Sequence, residues 1–135
     1  MTVHELSREH ALGSQELANE IARLAAEKKA SEIVEIDLRG LVSYTDYLII
    51  CTGNTERQTK AIHDAIDEGL SREYAMNPRR VEGLPSARWI LMDYLDVVVH
   101  IFTPAMREYY RLEALWGEAP ARELGEPAAQ AATRA

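Results

Sequence analysis

Apolar residues along this chain keep two periods, and the switches between them mark the elements. Leu17, Ile21 and Leu24 recur at helical spacing with Ala18, Ala22 and Ala25 beside them, which predicts an amphipathic helix of about four turns. Ser14 stands where its N-cap is expected, and Lys28-Lys29 place cations at the negative end of its dipole. The period then falls to two. Residues 33–38 (IVEIDL) predict a strand with Val34, Ile36 and Leu38 on one face and Glu35 and Asp37 on the other, closed by Gly40. The run 47–51 (YLIIC) is apolar without alternation, as a central strand buried on both faces must be.

Thr52-Gly53-Asn54 is the turn after that strand. Thr55 and Gln58 then stand as a capping-box pair, and Ile62, Ile66, Leu70 and Tyr74 form the stripe of a long helix that Asn77-Pro78 ends. Strand, tight turn and capped helix open a βαβ unit. Residues 79–88 are polar and broken by Gly83 and Pro85, so they hold a short strand at most. Two strand runs follow, at 89–92 and 97–102, separated by Asp93-Tyr94-Leu95-Asp96. That segment is too short for a crossover helix, so the pair is expected to be an antiparallel hairpin. Thr103-Pro104 supplies N-cap and N1 of a last helix expected to run to Trp116, with Gly117 as its C′ residue. The pattern predicts an α/β fold, a small mixed sheet with flanking helices. Residues 1–13 are expected to be a loose lead-in, 14–117 the domain, and 118–135 a mobile Ala/Glu/Pro-rich tail.

The hairpin carries the most information. With Tyr94-Leu95 as a two-residue turn, Asp93 faces Asp96, Leu91 faces Val98 and Trp89 faces His100, all on one side. Ile90, Met92, Val97, Val99 and Ile101 make the other side purely aliphatic, hence core. Two carboxylates directly across a strand pair repel. Beside an indole they resemble an interface with an aromatic anchor and an acidic rim. The alternative is that Trp89 packs under a helix and the aspartates sit at a solvated turn.

Composition narrows the function. The 135 residues are 47% hydrophobic and 27% charged, which suits one compact domain and excludes a wholly disordered chain. No apolar run approaches the roughly 18 residues of a membrane span, and the N-terminus has no secretory-signal pattern, so a cytoplasmic protein is expected. Cys51 is the only cysteine, which rules out an internal disulfide or a cysteine zinc cluster. The net charge is −7, and no basic run exceeds Arg79-Arg80. Direct nucleic-acid binding is therefore not expected, whereas a basic protein partner fits.

Other candidate chemistry is thin. The turn at 52–55 could cradle a phosphate on backbone amides, but it has one glycine and matches neither common phosphate-loop pattern. A nucleotidyltransferase needs paired carboxylates for Mg²⁺. There is no Asp-x-Asp here; Asp93 and Asp96 are a pair, but no Gly/Ser phosphate loop accompanies them in the expected order. His63 and His100 are single histidines, expected to be structural, and Cys51 in an apolar strand is expected to be inert. Ser43 and Ser71 lack a His/Asp context for nucleophilic chemistry. The last helix carries Met106, Tyr109, Tyr110, Leu112, Leu115 and Trp116, more apolar surface than one packed side needs. That surplus suggests self-association or a second contact.

Three ordered stretches resemble the ribosomal silencing factor family (RsfS, also called Iojap or YbeB). They are 46–58 (DYLIICTGNTERQ), 89–93 with 96–102 (WILMD and DVVVHIF), and 107–116 (REYYRLEALW). The resemblance covers about residues 14–117. It implies a nucleotidyltransferase-like topology without catalytic residues or cofactor, and a homodimer in isolation. It also implies a translational repressor that binds ribosomal protein fourteen of the large subunit and sterically blocks subunit joining. Trp89, Leu91 and Asp93 then become the first expected partner contacts, with Asp96, His100 and Tyr110 next. The chain departs from the family pattern at Ala87-Arg88, where a glycine often precedes the tryptophan, and at the Tyr94-Leu95 turn. The rival reading is a Mg²⁺-dependent nucleotidyltransferase-like enzyme using Asp93 and Asp96.

Overall fold

The computed structural model describes residues 12–124. The parts of the expected lead-in and tail at 1–11 and 125–135 lie outside the described residues. Helix α1 (Ser14–Glu27) comes first. Its N-cap is Gly13 rather than Ser14, so no side chain caps the first helical N–H groups, and the Glu16 carboxylate instead accepts the Gly13 N–H at 3.0 Å. Strands β1 (Ser31–Asp37) and β2 (Tyr47–Thr52) follow, then the long helix α2 (Glu56–Tyr74). The Thr55 hydroxyl accepts the Gln58 N–H at 3.1 Å, as the capping box requires. The reciprocal half of that motif is not made: the Gln58 side chain accepts from the Asn54 N–H rather than that of Thr55, and it donates to the carbonyls of Lys28 and Lys29. It thereby satisfies two carbonyls beyond the end of α1 that no helical N–H meets.

Strands β3 (Arg80–Glu82), β4 (Trp89–Asp93) and β5 (Val97–Phe102) complete the next run, followed by helices α3 (Pro104–Tyr110) and α4 (Leu112–Leu115) and strand β6 (Ala121–Glu123). Among the described residues the strands form one sheet in the order β3-β4-β5-β2-β1-β6. Only the central pair β2–β5 is parallel; its neighbours are antiparallel. The expected βαβ unit is therefore closed by β5, with β3 and β4 inserted on the way. All six residues of β2 are buried, as its unbroken apolar run predicts.

The sheet separates two cores. On one side α1 and α2 bury Leu17, Ile21, Leu24, Ile62, Ile66 and Leu70 against Tyr47, Ile49, Cys51, Ile90, Met92, Val97, Val99 and Ile101. On the other, Ile36, Leu38, Leu48, Ile50 and Phe102 are buried under Met106, Leu112 and Trp116.

Two expectations about the C-terminal region are corrected. The last helix does not run unbroken to Trp116: Arg111 takes a left-handed φ of 47° and divides it. The break lets Leu112 and Trp116 turn back onto the sheet, and Arg107 braces it by donating to the Glu113 carboxylate at 2.8 Å. Nor does the tail begin at Glu118. Ala119 is buried and Ala121–Glu123 pairs with β1. All three residues of β6 are exposed, so no apolar alternation announces the strand. Backbone pairing holds it, together with Arg122, whose Nε donates to the buried Glu35 carboxylate at 2.8 Å.

Candidate functional site

The hairpin expected to carry the site forms, but its register differs. Asp93 pairs with Val98, Leu91 with His100 and Trp89 with Phe102. Each partner is thus two residues further along β5 than a two-residue turn would give. A favoured two-residue turn needs φ above zero at its first central residue, Tyr94, and only Leu95 adopts it, at 75°. The connection instead closes with the Tyr94 N–H donating to the Val97 carbonyl and the Asp96 N–H to the Tyr94 carbonyl, both at 2.9 Å. A shift of two preserves every side chain's face, so Trp89, Leu91, Asp93, Val98 and His100 still share one side. Asp93 and Asp96 do not face one another. Asp96 is exposed in the loop, where its carbonyl accepts from the Asp46 and Tyr47 N–H groups.

Trp89 is half-buried, and three rings surround it. Phe102 stacks at 5.1 Å between centroids, His100 lies at 5.9 Å and Tyr110 of α3 closes in at 4.5 Å. The indole Nε1–H donates to His100 Nδ1 at 3.0 Å. Tyr109 meets Tyr110 edge-on, is 76% exposed, and extends the aromatic ridge outward. Behind the start of β4, Gly83 has φ 90°, and a Cβ there would fall 1.9 Å from the Trp89 carbonyl oxygen. Only glycine lets the chain pass so close to the strand that presents the indole.

Asp93 is only 5% exposed, and its carboxylate is engaged from within. One oxygen accepts from the Arg79 guanidinium at 2.9 Å and the other from the Leu95 N–H at 2.8 Å. Burial by itself would raise its pKa, but those two bonds outweigh burial and hold the carboxyl below its ordinary value. The sequence-derived picture of an open acidic pair is thereby corrected: one carboxylate is an internal anchor and the other a loop residue. His100 is also buried, and desolvation pushes its imidazole down to about 4. Leu91 is half-buried and Tyr110 exposed.

Beside this ridge runs a groove of about 380 Å³ with Leu48, Leu91, Val98, Leu112 and Trp116 in its walls. Tyr44, Leu115, Arg79 and Arg80 also line it. Leu115 is 71% exposed. Tyr44 was missed from the sequence because it sits in an aperiodic loop. Arg79 and Arg80 were visible there only as a short basic pair, since nothing local shows that β3 lies alongside β4.

The remaining candidates are brought to no common site. In the 52–55 turn the Gly53 N–H donates to the Phe102 carbonyl and the Asn54 N–H to the Gln58 side chain, so these amides are already engaged within the chain. His63 lies on α2 with Nδ1 2.9 Å from the Asp64 carboxylate, on the opposite side of the sheet from the ridge. Burial pushes the Cys51 thiol up to about 12. Among the described residues no group of three or more His, Cys, Asp or Glu side chains is placed to hold a metal ion.

Residues 11–135 match the family model described as "Ribosomal silencing factor during starvation". The ribosomal silencing factor of Halalkalibacterium halodurans is 39% identical over 113 residues, covering 84% of this chain and 96% of that one. That of Bacillus subtilis is 41% identical over 98 residues, covering 73% and 82%. A solved structure of a Chromobacterium violaceum protein superposes with a TM-score of 0.75 at 36% identity, covering 78% of this chain and 88% of the other.

Proposed function

The chain belongs to the ribosomal silencing factor family, and from that premise we propose that it represses translation by occupying the large ribosomal subunit. The partner in this reading is ribosomal protein fourteen, and a body of 15.2 kDa seated there keeps the small subunit from joining. No chemistry is required, only occupancy. The observation that carries the reading is the half-buried Trp89, flanked by Tyr110 and by an apolar groove on the sheet face that the short helices leave open. Aromatic residues beside a desolvated groove are what anchors a protein interface. The acidic chain, at net charge −7, speeds encounter with a basic partner. Trp89, Leu91 and Tyr110 make the contact in this reading; Asp96 supplies an exposed carboxylate to the rim, and Asp93 shapes the loop that carries it. The protein works in the cytoplasm as a homodimer when free of the ribosome.

The enzyme reading loses its ground in the same geometry. A Mg²⁺ site needs carboxylates free to bind the ion, and the Asp93 carboxylate is held by Arg79 and the Leu95 amide while Asp96 stands apart in the loop. The test is sedimentation of the purified chain with separated ribosomal subunits. Co-sedimentation with the large subunit and a reduced yield of joined ribosomes are expected. Absence of binding, or binding to the small subunit alone, would overturn the proposal.

A further inference from the structure

A half-exposed indole serves a partner best when its orientation is fixed beforehand, because freezing it on binding takes back part of the affinity. Here Phe102 stacks against one side of Trp89 and Tyr110 closes in from α3. The remaining freedom, rotation that would swing the polar edge of the indole away, is opposed by the bond from Nε1–H to His100 Nδ1 at 3.0 Å. His100 pairs with Leu91, so it stands diagonally from Trp89 across the hairpin, within reach of large side chains only. With 7% of its surface exposed, it offers a partner little of its own.

We infer that His100 is a positioning residue, holding the Trp89 indole in its docking orientation through Nδ1 without itself meeting the partner. The inference rests on the docking role given to Trp89 above. Because Nδ1 accepts, the neutral ring carries its proton on Nε2. The charged and titratable groups around the same groove are Asp93, Arg79, Arg80 and Tyr44, with Tyr110 beside the indole. The one carboxylate among them is turned onto Arg79, so nothing there stabilises an imidazolium, and the buried ring stays neutral and accepting through the physiological range.

The test follows the two tryptophan indole N–H signals by ¹⁵N NMR on the full chain, assigned with Trp116→Phe, alongside binding to purified large subunits. His100→Asn places an amide oxygen at the δ position, where it can accept the same bond. It is expected to retain slow exchange of the Trp89 indole proton and to bind within about twofold of the parent. His100→Leu removes the acceptor. It is expected to speed that exchange about fivefold or more and to weaken subunit binding about five- to tenfold, the loss of one hydrogen bond and the order it imposes. Equal loss of binding in both variants with an undisturbed indole signal would make His100 a direct contact and overturn the inference. So would a His100→Leu protein that frees the indole yet binds like the parent. Failure of the docking reading itself is separately visible: Trp89→Ala would bind large subunits normally while the parent still showed the protected indole proton.

Discussion

Tyr47, Ile49 and Cys51 on one side of β2 look into a layer built by helices of 14 and 19 residues. Leu48 and Ile50, their neighbours on the same strand, look toward helices of 7 and 4 residues separated by the left-handed Arg111. The first layer leaves the apolar residues of β2, β4 and β5 on its face fully buried. The second closes over Ile50 and Phe102 but leaves Trp89, Leu91 and Val98 half-buried and Tyr109 and Leu115 mostly exposed. Burial on the two-helix side supplies the stability a domain of this size needs. The other side is thus free to keep apolar surface that a merely stable protein would cover.

That contrast is open to direct attack. The largest effect on folding is expected from Ile66→Ala on the closed side, since Ile66 is fully buried and deleting such a side chain costs about 2–5 kcal/mol. Chemical denaturation checks it, and the folded fraction should still bind large subunits. Trp89→Ala is expected to cost about 1–2 kcal/mol of folding stability, less than Ile66→Ala, because the indole is only half-buried. Subunit binding should fall by about 2–4 kcal/mol, as for an interface anchor. If Trp89→Ala unfolds the chain as readily as Ile66→Ala, the two faces are not different in kind. The smallest effect is expected at Asp93. Its folded pKa lies below the unfolded value, which is about 3.9. Its ion pair therefore stabilises fully above that value and is lost as pH falls through the lower folded one. Asp93→Asn should accordingly lower stability at neutral pH and flatten the acid limb of an unfolding-midpoint curve as pH falls below about 4. A variant whose curve overlays the parent's would show that Arg79 gives Asp93 nothing.

The closed side was legible in the sequence and the open side only in part, for a physical reason. Tyr47–Thr52 and the Ile62/Ile66/Leu70 stripe follow from periodicity, which is local. The identity of the hairpin face was also legible, because a register shift of two leaves the alternation intact. The loop closure was not, since it depends on which of Tyr94 and Leu95 accepts a positive φ. Asp93 looked like a free rim carboxylate because its partner Arg79 stands 14 residues earlier, just ahead of a strand too short and polar to place beforehand. Strand β6 was invisible because its exposed residues pair through backbone and one long-range ion pair, Arg122 with Glu35. The break at Arg111 left no glycine or proline as a signal. Apart from the hairpin closure, what sequence pattern missed was set by contacts between distant segments.

Hydrogen–deuterium exchange on the chain, free and bound to purified large ribosomal subunits, tests most directly whether the incompletely covered face meets the ribosome. Slowed exchange confined to peptides spanning residues 89–100 and 107–116, with α1 and α2 unchanged, is the expected result. Protection centred on α1 or α2, with the Trp89 peptide exchanging as in the free protein, would contradict it.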